Sequence, residues 1–485
     1  MPDVLTGMLT RSSMRRSGQG PGSTTRPSAT RTGRPEPARL DASIRTISGL
    51  CLWAALLLLT GRWVADGGIQ DFLTSWADGL TALGRLSGLV AAQLLLVQVL
   101  LMARIPLLEL AFGRQRLVRI HRRVGLLSFW LMLTHIGTIV LGYASARWSL
   151  VPSTLWQLLT GYAGILLAVA GTLCLLMVVV TSIRATRRRL RYESWHLLHL
   201  YGYLGAGLAL PHQLWTGEEF NQSPVMTGYW WAIWICAASA VVTWRLLLPL
   251  GRTLRHRLRV SEVTQEAPNV VSVRMTGRRL DRLPVQAGQF VVLRFLTLPG
   301  WTRANPFSLS AAPDGRTLRI TAKIVGDGTA RLTRLRPGTS VLFEGPYGRL
   351  SHRARSRSKV LLAGAGLGIA PLRSLAEGLS YAPGDALLLH RYTDRRLFSE
   401  ELEQLQVRRG LQVIDLPGRR AHPKSALGPS VDPAHELVIL EHIVPDVADR
   451  DVYLCGPEAW TQLMVVLTRR AGVPDEQIHI EAFAW

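Results

Sequence analysis

Four histidines carry the first recognisable chemistry. His121 and His135 lie fourteen residues apart in one apolar stretch, and His199 and His212 lie thirteen apart in another. An ionisable side chain inside an apolar span is costly and marks function. Neutral imidazole is also the usual axial ligand of haem iron. At about 1.5 Å rise per residue, the two members of each pair stand about 20 Å apart along a helix. Two such helices face to face predict two haems stacked across a bilayer, with His121 opposite His199 and His135 opposite His212. Fourteen residues at ~100° each return to nearly the same face, whereas thirteen miss it by over a third of a turn. Pro211 directly precedes His212 and is placed to re-aim it. His196, one turn before His199, is the rival ligand.

These histidines need membrane-spanning elements, and six apolar segments supply them, at roughly 44–66, 82–103, 124–144, 155–183, 195–215 and 227–250. Each is near the ~20 residues that cross a bilayer. The 485-residue chain is 18% charged and carries a net charge of +23, which together predict a membrane protein with basic cytoplasmic loops. Arginines crowd the connections between spans two and three (Arg104, Arg114, Arg116, Arg119, Arg122, Arg123) and between spans four and five (Arg184, Arg187, Arg188, Arg189, Arg191). The loop between spans five and six has no basic residue and two glutamates. The expected topology is therefore multi-pass in the cell membrane, with both termini cytoplasmic. Trp63, Trp76, Trp148 and Trp215 fall at outer span ends, where an aromatic belt belongs. The preponderance of arginine over lysine reads as the mark of a GC-rich coding sequence rather than of nucleic-acid binding, so no nucleic-acid partner is expected. Residues 1–43 read as a disordered basic tail, either idle or resting on anionic lipid. No apolar run follows its early charges until Ile47, which speaks against a signal peptide. Cys51, Cys174, Cys236 and Cys455 are too scattered for a disulfide scaffold, a cysteine zinc site or an iron–sulfur cluster.

The pattern changes after the last span. Residues 44–252 form the membrane part. Short alternating runs such as VVSVRM, FVVLRF and LRITAKI predict an antiparallel β-barrel over 253–352. The runs KVLLAGAG, ALLLHRY, LQVIDL, LVILEHI and DVYLCGP read as strands of a doubly wound α/β domain over 353–485. The fold class is thus a six-helix all-α membrane bundle, then a β-barrel, then an α/β domain. GAGLGIAP (364–371) follows its strand directly and opens a helix. Gly364, Gly366 and Gly368 permit close approach to a pyrophosphate, and Pro371 suits a first helical turn. NAD-specific folds place an acid at the end of the second strand to hold the ribose 2′-hydroxyl. Here Arg391 stands there, with Arg395 and Arg396 near, which favours NADPH over NADH.

A six-span core with paired histidines on its third and fifth spans, followed by these motifs, resembles the ferric reductase and NADPH oxidase superfamily. The resemblance covers about 44–485, and its C-terminal half resembles the ferredoxin–NADP reductase module. It implies two b-type haems, FAD, and NADPH or NADH as donor. NPFSLSAAP (305–313) is similar to the family's flavin signature, with Pro306, Phe307 against the flavin ring and Ser308 presented to a ring nitrogen. Asn305 stands where relatives often have His or Arg, and Arg303 takes the phosphate role. Gly326, Gly328 and Thr329 of KIVGDGTARL would approach the FAD pyrophosphate at a helix start. EGPYG (344–348) matches the turn that closes the barrel. Cys455, Gly456 and Pro457 match the Cys-Gly-Pro turn beside the nicotinamide. Phe483 or Trp485 would cover the flavin, with Glu481 lining the site.

The implied function is transmembrane electron transfer from cytoplasmic NAD(P)H through FAD and two haems to a small external acceptor: ferric iron, oxygen or a quinone. Two rivals differ in kind. A haem-free, membrane-anchored flavin reductase would feed a partner protein, and a six-span transporter would carry a regulatory nucleotide domain. The matched histidines count against the first, and the absence of any internal repeat counts against the second.

Overall fold

The structure is a computed structural model that describes residues 36–190, 192–297, 303–420, 422–428 and 431–483. Residues 1–35 of the basic tail and Trp485 lie outside the described residues, whereas 36–43, expected as tail, open the first helix.

The membrane part is helical. Its principal helices are α1 (Glu36–Ala65), α2 (Trp76–Met102), α3 (Arg114–Tyr143), α4 (Val151–Gly161), α5 (Ile165–Ser182), α6 (Tyr192–Thr216), α7 (Pro224–Val241) and α8 (Leu248–His256). A π-helical turn, Val242–Leu247, joins the last two. Among the described residues five helical stretches are long and apolar enough to span: Leu40–Ala65, Trp76–Met102, Arg114–Tyr143, Ile165–Ser182 and Pro224–His256. The 25-residue α6 is not among them, because it carries Glu193, His196, His199 and His212 among its apolar residues. The fourth apolar segment is two helices rather than one. It breaks at Tyr162–Gly164, where Gly164 takes a left-handed φ of 84°. Leu126, Leu127 and Trp130 on α3 are exposed, as side chains turned toward lipid tails would be. The spanning window of α2 is 39% buried against 6% for α3, so α2 is the central helix.

The next part holds β1 (Arg259–Ala267), β2 (Val270–Thr276), β3 (Phe290–Phe295), β4 (Asn305–Ser308), β5 (Thr317–Lys323) and β6 (Val341–Tyr347). Two three-stranded antiparallel sheets form, ordered β1-β2-β5 and β4-β3-β6. Isolated bridges Arg259↔Ser340 and Leu309↔Ile320 join their edges. Val291, Leu293 and Phe295 alternate inward along β3 and meet Phe307, Ile320 and Phe343 in the core.

The last part is a parallel sheet of β7 (Val360–Ala365), β8 (Ala386–Arg391), β9 (Gln412–Leu416), β10 (Asp451–Pro457) and β11 (Ile478–Phe483), ordered β11-β10-β7-β8-β9. Helices α9 (Ile369–Gly378), α10 (Ser399–Arg409), α11 (Glu436–Ile443) and α12 (Glu458–Arg470) accompany it. The LVILEHI run, expected as a strand, is α11. A short apolar run does not separate a buried strand from a buried helix. Here Glu436 decides it by accepting hydrogen bonds from Ser425 Oγ at 2.8 Å and Leu427 N–H at 2.8 Å at the helix start. The fifth strand is β11, at the end of the chain.

Charges knit the parts together. Arg319 of β5 donates to both Glu401 oxygens at 2.6 and 2.7 Å, and Arg373 of α9 meets Glu401 at 2.6 Å. At the membrane junction, Arg104 pairs with Glu109 at 2.9 Å and lies over the Tyr347 ring at 4.2 Å. The Phe343 N–H donates to Thr253 at 3.1 Å, and Arg252 donates to the Gly345 carbonyl.

Candidate functional site

Helices α3 and α6 bring the four histidines together in two facing pairs. The His121 and His199 rings lie 6.1 Å apart between centroids, and the His135 and His212 rings 6.2 Å apart. The thirteen-residue step works within one continuous helix, with Pro211 inside it. His196 faces neither histidine of α3 at ring distance. It lines the same cavity.

Every Nδ1 is engaged. His121 Nδ1 lies 3.2 Å from the Gln98 carbonyl, and His135 Nδ1 lies 2.8 Å from the Gly84 carbonyl. A carbonyl only accepts, so both nitrogens carry their proton. His212 Nδ1 lies 2.8 Å from Thr216 Oγ1, whose hydroxyl donates to the His212 carbonyl at 2.8 Å and so accepts from the ring. His199 Nδ1 lies 3.3 Å from Ser182 Oγ, which donates to the Val178 carbonyl at 2.7 Å. All four Nε2 lone pairs are thereby left for a metal, in the manner that outer-shell partners orient ligating imidazoles. Two imidazoles each bonded to one ion at about 2 Å would hold their centroids roughly 6 Å apart, as both pairs do. Among the described residues no cluster of three or more His, Cys, Asp or Glu stands ready for a metal. Two ligands per site instead match an iron whose other ligands come from a macrocycle. A cavity of about 1560 Å³ runs past both pairs. Val292, Arg294, Pro306 and Glu344 line it on the flavin-module side, and Tyr143 and Tyr162 line it within the bundle. The donor set and the space fit haem.

Sequence reasoning missed the groups that aim the histidines. Gly84 and Gly88 on α2 are one turn apart, and a Cβ on Gly88 would sit 2.6 Å from His135 Nδ1. The signal was there: two glycines four residues apart on an apolar helix mark a close approach.

The flavin residues divide. Ser308 is buried, and its Oγ has no partner, as a group awaiting a ligand would be. A Cβ on Gly328 would lie 3.9 Å from Asn305 Nδ2 and 4.0 Å from Arg303 Nη1, so these three residues converge. Arg303 also pairs with Glu193 of α6 at 3.2 Å. Pro306 lines the cavity. Thr329 Oγ1 accepts from Val325 N–H at 2.9 Å and holds the Gly326 turn, while the helix beyond it is only Asp327–Ala330. Phe307, expected against the flavin ring, is a core residue packed edge-on to Phe295 at 6.3 Å. The strand alternation that buries Ser308's neighbour inward is the reason. The orphaned serine and the convergent Arg303–Asn305 pair fit a flavin dinucleotide.

At the carboxyl ends of the parallel strands, Gly364, Cys455 and Glu481 stand side by side in register across β7, β10 and β11. The turn Gly366–Gly368 follows β7, with Gly366 at φ 55°. A Cβ on Gly368 would fall 2.0 Å from the Cys455 carbonyl, so only glycine lets this turn touch that strand. Pro371 is buried in the first turn of α9. Gly456 packs against Trp460, and Pro457, exposed at the strand end, pairs in register with Phe483. Burial beside the Glu481 carboxyl pushes the Cys455 thiol up, which keeps it protonated. Burial raises Glu481 to about 7, against the pull of Arg114 and Arg349. Arg391 is buried, and its Nη1 donates to the Leu416 and Gly418 carbonyls at 2.8 and 2.6 Å, tying β8 to the turn after β9. Arg396 pairs with Asp415 and Glu403, both at 3.1 Å, and Arg395 is exposed. Asp415, on the third strand, is an acid near this corner that a search of the second strand does not find.

Residues 87–210 match the family model described as the ferric reductase like transmembrane component. The chain is 26% identical over 231 residues to the ferredoxin–NAD(P)(+) reductase component of the naphthalene 1,2-dioxygenase system of Pseudomonas putida, covering 46% of this chain and 67% of the relative. It is 31% identical over 218 residues to a probable dihydroorotate dehydrogenase B (NAD(+)) electron transfer subunit of Methanopyrus kandleri, covering 44% and 75%. It is 26% identical over 230 residues to the heavy chain of a superoxide-generating NADPH oxidase of Dictyostelium discoideum, covering 43% and 41%. A ferric-reductase-like membrane domain, reductase-type relatives and an NADPH oxidase relative together support the fused ferric reductase and NADPH oxidase superfamily. The chain joins a ferric-reductase-like membrane part to a reductase-type module.

Proposed function

We propose that this superfamily member carries electrons from NAD(P)H through FAD and two b-type haems across the membrane to a small acceptor on the far side. The observation that carries the reading is the pair of facing imidazoles at each of two levels, every one with its Nδ1 hydrogen-bonded and its Nε2 free. The bound groups supply hydride acceptance at the flavin and one-electron carriage at the haems. The chain's own residues do the rest. His121 and His199 hold one haem and His135 and His212 the other, while Ser182, Thr216 and the Gln98 and Gly84 carbonyls fix the rings. Ser308 offers its hydroxyl to the flavin, and Arg303 and Asn305 take its phosphates. The Gly364–Gly368 turn receives the nicotinamide dinucleotide. Cys455 holds its ring in place beside Glu481, and either Phe483 or Trp485 is the proposed cover of the flavin. NADPH is the proposed donor, with NADH as the alternative, since the Arg391 Nη1 is already engaged. The acceptor is ferric iron, oxygen or a quinone. The proposed topology has six spans, α6 included, with the flavin module and both termini on the cytoplasmic side.

Haem content tests this. Purified protein made with ample haem supply should carry two haems per chain by pyridine haemochromogen assay. His135→Ala or His212→Ala should each leave one. A wild-type preparation with full flavin and no haem would favour the haem-free anchored reductase instead.

A further inference from the structure

The junction between the bundle and the flavin module holds an excess of positive charge. Arg104, Arg245 and Arg294 line the cavity there with two carboxylates, Glu109 and Glu344. Arg104 is satisfied by Glu109 at 2.9 Å, with Glu344 at 3.6 Å. Glu344 accepts from the Tyr347 hydroxyl at 3.0 Å and lies 4.0 Å from Arg245. The Arg294 guanidinium makes no hydrogen bond or ion pair among the described residues, although the residue is half-buried and lines the cavity. A partly desolvated guanidinium without an anion is an expensive arrangement.

Two features show that the placement is built. Along β3, Val291, Leu293 and Phe295 enter the core, so Val292 and Arg294 turn to the cavity. The π-helical turn Val242–Leu247 interrupts the last span where Arg245 must turn into the same space, and such turns gather at functional sites. Both arginines and Glu344 line the cavity with His121 and His199, and Arg303 of the flavin module pairs at 3.2 Å with Glu193, at the His199 end of α6. An anionic partner for these cations therefore belongs beside the His121–His199 level.

We propose that Arg294 and Arg245 hold the carboxylate edge of the haem bound between His121 and His199, an inference that rests on the haem reading above. Haem presents two propionate carboxylates, and guanidinium is the group best shaped to receive them. A strand of the flavin module would then grip the haem directly. That grip fixes the haem edge toward the flavin and makes its potential depend on Arg294. A neighbouring cation favours the reduced haem, which carries one more negative charge, and a neighbouring carboxylate opposes it.

Spectroscopic redox titration of the full-length protein, with FAD and haem bound, is the test. Arg294→Gln and Arg245→Gln should each keep two haems and one FAD per chain and lower the midpoint of one haem only. Arg294→Lys should hold that midpoint near the wild-type value, and Glu344→Gln should raise it. Unchanged midpoints in both glutamine variants would overturn the proposal. Loss of FAD from Arg294→Gln with both haem midpoints intact would overturn it too, by assigning the cation to the flavin. A wild-type protein without haem is a separate failure, visible before any variant is made, and would count against the haem reading itself.

Discussion

Glu481 shows how one side chain can join two modules. It sits beside Cys455 in register, and a Cβ on Gly348 would lie 3.4 Å from its Oε2, so its carboxyl reaches the flavin module. With a folded value of about 7 against an ordinary 4.5, it favours the folded state while protonated. Its contribution is fully present below pH 4.5 and is lost as pH rises to about 7. Glu481→Gln should abolish that loss in a chemical-denaturation series from about pH 5 to 8. It should also remove a step near pH 7 from the rate of flavin reduction by NADPH. An unchanged pH profile would show that Glu481 does not titrate there. The family motif led to this residue, but nothing in the sequence placed it on the strand next to Cys455. Phe307 shows the opposite case. Its motif pointed to the flavin, and the period-two alternation of its own strand sends it into the core.

The histidine pairs were legible among the elements because the cost of ionisable groups in apolar spans is a strong signal. Their aiming was not, since carbonyls leave no trace in a sequence and the thirteen-residue step looked wrong for an ideal helix. The close packing that makes the aiming possible was half-visible as glycines. Gly171 of α5 and Gly205 of α6 meet so closely that a Cβ on Gly171 would sit 2.7 Å from the Gly205 carbonyl. On α2, Gly88→Ala alone would favour the helix by about 0.5–1 kcal/mol. It would also drive a methyl into the His135 ring. The variant should fold and hold one haem per chain instead of two. Two haems in Gly88→Ala would contradict the aiming role given to the Gly84–Gly88 face. The strand assignment of LVILEHI failed for a plainer reason, since seven apolar-rich residues fit either element.

At the scale of the molecule, three parts were readable from the sequence in their right order, because hydrophobic period changes twice along the chain. What the sequence left open was how they meet. The junction of Arg104, Arg245 and Arg294 with Glu109 and Glu344 draws on residues from the loop after α2, the π-helical turn, β3 and β6, far apart along the chain. A cavity passes both histidine pairs and reaches Pro306, the course that the proposed electron route from flavin to haems would take. The most direct test is an anaerobic reduced-minus-oxidised spectrum of the purified holoprotein, taken once with NADPH and once with dithionite. The account predicts sharp low-spin haem bands with both reductants. Flavin bleaching by NADPH with haem bands appearing under dithionite alone would contradict it.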